Sequence, residues 1–331
     1  MRKKSAIFLI ILLCASAAAA QWTRQPSGTL AWLRDIYFTD AKHGWIVGSD
    51  GTVLRTTDGG EHWWEPKKFT TDTILRVRFT VAGMGWMLCE RNVYSRGSSP
   101  MSYVMHTMDG GETWKKIEFP DAGRERMTTL MFTDDGRGTA FGEGGVFYEL
   151  QADGFNWKRS LSPVRHLLLA GTVAEGGTGA IVGGGATALF TRDYGVTWED
   201  GTVTGNKPTR LNAVASTNPK VFWAVGTGGS IFTSVSGGRT WFPRVSGTDK
   251  ELTDLYLKDS REGWAIGENG TILHTLDGGN TWTPEQTGVP HKLDRIIFNG
   301  DRGWAVGFGG TILRRMAAAD TSAKPSLQRT Q

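Results

Sequence analysis

Tryptophan recurs in this sequence at two interleaved positions with a nearly constant spacing, and that period restricts the chain to a repeat architecture. One set opens a short apolar segment: Trp45, Trp86, Trp223, Trp264 and Trp304, with Thr139 and Ala180 in the equivalent place in two weaker copies. The other follows a glycine-rich turn: Trp63, Trp114, Trp157, Trp198, Trp241 and Trp282. Within a copy the two positions lie 18 residues apart, as from Trp45 to Trp63, except in the second copy, where Trp86 and Trp114 are 28 apart. From the second position to the next first one the gap is 22 to 25 residues. The resulting period of about 41 residues is the length of a four-stranded β-propeller blade.

The last copy should place its second tryptophan at Ser322, inside a polar tail. The missing piece stands at the other end: Trp22 lies 23 residues before Trp45, the spacing from Trp241 to Trp264. The expectation is therefore an all-β, seven-bladed propeller over residues 21–316 whose last blade is completed by the N-terminal strand, leaving no open sheet edge. Only Trp32 and Trp64 fall outside the two sets. In the sixth copy, Leu252 to Leu257 reads as the innermost strand, Gly263 to Gly267 as the second and Thr271 to Thr275 as the third, with Trp282 opening the outermost. Asn269-Gly270 there, and Asp50-Gly51 in the first copy, call for type I′ hairpins.

The two ends read differently. Arg2, Lys3 and Lys4, an apolar run from Ala6 to Leu13 and the small residues Ala18 to Ala20 form a secretory signal peptide over residues 1–20. Lipidation at Cys14 is disfavoured, because Leu12 and Leu13 stand where a small residue is expected. Removing three basic residues from 37 leaves 34 against 33 acidic, or +1, so the basic balance is mostly a targeting device and points to no nucleic-acid partner. Cys89 is then the only cysteine of the mature chain, and no intramolecular disulfide follows. No run of 18 apolar residues suggests a membrane span. The tail from Ala317 to Gln331 reads as disordered and the protein as a monomer.

Between the third and fourth strands the pattern Thr275-Leu276-Asp277-Gly278-Gly279-Asn280-Thr281-Trp282 recurs, with Asp58, Asp109 and Asp193 in the acidic place of three other copies. Ser236 takes that place in the fifth copy; Ala152 followed by Asp153 does so in the third, and Ala317 in the seventh. This resembles the Asp-box, or bacterial neuraminidase repeat. The carboxylate can accept backbone N–H groups left over by the tight turn, glycine supplies positive φ, and tryptophan wedges between blades. A calcium reading fails for want of a D-x-D-x-D-G run, and no cofactor is called for. The fuller wording, Gly-Trp-Ala-Val-Gly, then Thr-Ile-Leu-x-Thr, then Asp-Gly-Gly-x-Thr-Trp, resembles the photosystem II stability and assembly factor family over nearly all of 21–316. That resemblance implies an exported, non-enzymatic scaffold for protein partners, acidic or membrane-protein segments among them, held on a basic patch.

Third-to-fourth strand turns lie on the face opposite the start of the innermost strands, so partner binding is expected at the channel mouth on that other face. Aligning the innermost strands puts Arg34, Arg76 with Arg78, Arg165 and Arg295 at this rim, with Arg124 and Arg126 just before the third strand. An arginine-rich funnel of this kind suits a carboxylate-bearing partner. The ten extra residues of the second copy, around Tyr94 to Met101, fall on the same face. The rival reading is a glycan-binding or sialidase-like hydrolase. No early Arg-Ile-Pro occurs, the first copy offering Leu33-Arg34-Asp35-Ile36 instead, and the acids Asp35, Asp254 and Asp294 come without a motif. Cys89 occupies a place other copies give to glycine and reads as a packed thiol.

Overall fold

The computed structural model describes residues 22–80, 83–92 and 100–315, which form a ring of seven sheets, antiparallel except for one short pairing in the fifth. The signal-peptide reading with Cys14, most of the extra loop of the second blade and the tail lie outside the described residues. The innermost strands are Leu33–Phe38, Thr73–Phe79, Met127–Phe132, Leu168–Val173, Leu211–Ser216, Leu252–Leu257 and Leu293–Asn299. The tryptophans of the first set all lie in the second strand of a blade, packed under the neighbouring strands. The N-terminal strand Trp22–Gln25 pairs antiparallel with Thr311–Arg315 and completes the seventh blade, with Trp22 opposite Arg315.

Tight turns between second and third strands set the register. Asp50 and Asn269 adopt φ 54° with ψ 36° and 34°, each followed by a glycine also at positive φ, which is the I′ geometry that the sequence calls for. Glycine at the second position answers a steric demand as well, since a Cβ on Gly270 would stand 1.9 Å from the Val289 carbonyl oxygen.

Five of the six Asp-box tryptophans pack on an aromatic ring of the preceding blade or of their own. Trp114 meets Trp45 edge-on at 6.0 Å, Trp157 meets Trp86 at 5.5 Å and Trp282 meets Trp223 at 6.0 Å. Trp198 meets Phe147 at 6.4 Å, Trp63 meets Phe38 at 5.9 Å, and Trp241 is fully buried with its Nε1 donating to the Gly238 carbonyl at 2.8 Å. Burying one such ring, roughly 150–250 Å² at about 25 cal/mol/Å², contributes on the order of 4–6 kcal/mol before ordering entropy.

Two blades depart from four strands. In the first, the outermost strand shrinks to a single bridge between Arg55 and Trp64, with Pro66 unable to donate to a longer ladder. Trp64 is half exposed there, and the Arg55 guanidinium lies between it and Trp45 at 5.4 and 4.4 Å. In the fifth, the segment leaving the fourth blade adds Thr202–Val203 parallel to Thr240–Arg244, burying Val203 against that blade. No alternation marks a two-residue strand, so the sequence carries no signal for it.

Cys89 pairs opposite Ile74, in register with Gly48 opposite Leu33. Elsewhere this position demands glycine, because a Cβ on Gly48 would meet the Trp32 carbonyl oxygen at 2.3 Å. In the second blade the tight hairpin is absent and the pairing runs on to Thr73 and Glu90, which makes room for the thiol. Burial pushes its pKa up to about 12.

Candidate functional site

The Asp-boxes form closed hydrogen-bond knots. Asp109 accepts the backbone N–H groups of Glu112 and Thr113 at 3.0 and 2.9 Å and the hydroxyls of Thr107 and Thr113 at 2.7 and 2.6 Å. Asp58, Asp193 and Asp277 repeat most of this, and in the fifth blade Ser236 accepts the Thr240 N–H at 3.0 Å. Every carboxylate oxygen is thereby occupied by the turn itself. Hydrogen bonds from Thr281 hold Asp277 down to about 2, whereas at Asp58, also about 2, the His62 and Thr56 bonds overcome an opposing burial effect. Since the folded value lies below the ordinary ~3.9, this stabilisation is complete above about pH 4 and fades as the pH falls towards 2. Carboxyl NMR titration of Asp277 should give a midpoint near 2; a midpoint near 3.9 would contradict the knot.

The arginines singled out in the sequence do not form one funnel. Arg124, Arg126 and Arg165 stand exposed at the face where the innermost strands begin. Arg126 reaches Glu90 and Glu143, both at 3.5 Å, while Arg124 and Arg165 make no ion pair within 4 Å among the described residues. Arg34 lies 3.6 Å over the Trp32 ring and 3.5 Å from Asp294, which also accepts the Trp32 Nε1 proton at 2.5 Å. Burial lowers the Arg34 pKa and raises that of Asp294.

Arg76, Arg78 and Arg295 lie deeper, on the wall of the channel. The cause is a one-residue bulge in every innermost strand, between Leu33 and Asp35, Ile74 and Arg76, Leu293 and Arg295 and their equivalents. It shifts the alternation, and the residue after it turns inward. Arg78 pairs with Asp35 at 2.6 Å; Arg295 bridges Asp35 at 3.1 Å and Asp254 at 3.2 Å. Each of these acids also staples its blade to the next, Asp35 accepting the Val77 N–H at 3.0 Å and Asp254 that of Ile296 at 2.9 Å. The two carboxylates respond differently. Burial opposes the Asp35 charge, but Arg78 and Arg295 outweigh it and lower its pKa; for Asp254 burial prevails over Arg295 and the pKa rises.

A cavity of about 850 Å³ occupies the channel. It is bordered by Thr80, Asp134 and Gly136 from turns between first and second strands, and by Gly154 of the third Asp-box turn. It therefore opens on the Asp-box face, opposite the rim to which the sequence reading assigned the mouth. Asp35 has no accessible surface and meets guanidinium or backbone donors, so it cannot serve with Asp254 as the substrate-facing pair that glycoside hydrolysis requires. Among the described residues no three His, Cys, Asp or Glu side chains gather so as to hold a metal ion.

Residues 14–165 and 244–329 match the family described as photosynthesis system II assembly factor YCF48. The chain belongs to the YCF48 family. Relatives of that family include the chloroplast photosystem II stability/assembly factor HCF136 of Oryza sativa subsp. japonica, 24% identical over 64% of this chain and 55% of its own. The chain thus spans about half the length of that relative. The photosystem II assembly lipoprotein Ycf48 of Picosynechococcus sp. is 24% identical over 77% of this chain and 88% of its own. A solved structure described as YCF48 bound to D1 peptide superposes with a TM-score of 0.73 at 24% identity, covering 92% of this chain and all of that one. That likeness carries the fold; in this chain the repeats lock the blades with tryptophan and aspartate on one face, and Arg124, Arg126 and Arg165 stand exposed on the other.

Proposed function

We propose that this protein is an exported assembly or stability factor that holds a polypeptide segment of a partner and carries out no chemistry of its own. Family membership across both ends of the ring supports this most directly. The relative described with a D1 peptide supports a polypeptide as the partner class, and residues 1–20 supply the export signal. Arg124, Arg126 and Arg165 are the groups assigned to the partner, because they are exposed cations on the face free of Asp-boxes. Exposed charges of this kind steer encounter and select acidic segments more than they supply raw affinity.

The test is affinity capture from the envelope fraction of the source cell with the mature chain and with Arg124→Glu/Arg165→Glu. The double reversal should reduce partner recovery at least about tenfold, and recovery by the unaltered chain should decline as salt is raised. Unchanged recovery by the reversed protein would remove these arginines from the reading.

A further inference from the structure

The central cavity is chemically two-sided. Its charged wall is built by Arg76, Arg78, Asp254 and Arg295 of the second, sixth and seventh blades. Its apolar wall, from the third to fifth blades, presents Met131, Ala170, Gly171, Ala213 and Val214. One position per blade creates the division: the residue after the bulge is Asp35, Arg76, Asp254 or Arg295 on one side and Thr129, Ala170 or Ala213 on the other. The short side chains leave the space, and about 850 Å³ is the size of a small-molecule site.

Charge in the depth of the channel does not balance, the remaining acid of the cavity, Asp134, standing at its opening. Three guanidinium groups face two carboxylates, and both carboxylates are engaged by Arg78 and Arg295. Arg76 is left over. Among the described residues it makes no ion pair within 4 Å, and its Nη1 donates only to the carbonyl of the adjacent Leu75 at 2.8 Å. Burial first, and then the like charge of Arg295, lower its pKa to about 10. An enclosed cation beside a second cation, with Asp35 and Asp254 acting on it only from beyond ion-pair distance, favours an incoming anion, and the planar guanidinium suits a carboxylate taken by two parallel hydrogen bonds.

We propose that the cavity binds a small amphipathic carboxylate, its anionic end on Arg76 and its apolar body against Ala170, Ala213 and Val214. Entry is from the Asp-box face, past Thr80 and Asp134. The site is thus separate from the rim arginines and does not rest on the protein-partner reading.

The experiment is a fluorescence titration of the full chain with dansylaminoundecanoic acid, with its methyl ester as the uncharged control. Saturable binding at one site is expected, with the ester at least about tenfold weaker and the probe displaced by decanoate but not by acetate or decanol. Arg76→Met should weaken the acid at least about tenfold while leaving the ester unchanged, and Ala213→Phe should abolish binding of both by filling the apolar side. Circular dichroism checks folding; should Ala213→Phe not fold, Ala170→Val replaces it. The proposal is overturned by absence of saturable binding, by equal affinity for acid and ester, or by undiminished binding of the acid to Arg76→Met. Loss of the protein partner in Arg124→Glu/Arg165→Glu with probe binding retained would separate the two sites.

Discussion

Trp22→Ala is expected to lower the thermal midpoint by about 5–15 °C, from a loss on the order of 3–5 kcal/mol. Trp22 is buried between the sixth and seventh blades with Trp264 and Phe298, and its Nε1 donates to Glu285 of the sixth blade at 2.6 Å. The substitution removes a large ring from a filled seam and one of the donors on a half-buried carboxylate. Deleting residues 22–25 should go further. Thr311–Arg315 would then become an exposed edge, open to pairing with a second chain. Differential scanning calorimetry reads the first effect, and size-exclusion chromatography reads oligomers of the truncated chain. A midpoint within about 2 °C of the parent for Trp22→Ala would mean that the ring is held shut elsewhere.

Asp35→Ala should be comparably costly, about 3–5 kcal/mol, because it leaves Arg78 and Arg295 in the channel without the carboxylate that both use. It also frees the Val77 N–H, so the staple between first and second blades is lost with the charge. Asp35→Asn keeps an acceptor for that N–H and should fall between the parent and Asp35→Ala. Arg76→Met removes a buried cation that makes no ion pair within 4 Å among the described residues, and urea unfolding should show it to be neutral or stabilising. Equal destabilisation by Asp35→Ala and Arg76→Met would contradict the pairing scheme.

These two expectations were not equally legible in the chain. Trp22 could be placed in the last blade by counting, because blade length is fixed by four short strands and tight turns, and a missing tryptophan at Ser322 needs a donor elsewhere. Asp35, Arg76, Arg78 and Arg295 could be assigned to innermost strands by the same count, but not to a depth. A bulge changes which side of a strand a residue faces without altering composition or spacing, so residues aligned at a rim turned into the channel. The recurring leucine or isoleucine two residues before Asp35, Arg76, Asp254 and Arg295 is the one trace it leaves in the sequence.

The Asp-box face illustrates the same boundary. The repeat T-x-D-x-G specified the knots at Asp58, Asp109, Asp193 and Asp277, since all their partners lie within four residues and local geometry suffices. That the same face also carries the opening of the cavity depends on how seven inner strands converge, which no single repeat encodes.

The tryptophan period thus determined by itself the blade length, the number of blades and the closing strand, because each follows from interactions repeated locally or between adjacent copies. Tertiary structure alone decided which arginines were neutralised. Asp35 draws on the first, second and seventh blades at once, so the pairing that leaves Arg76 free exists only when the ring is closed.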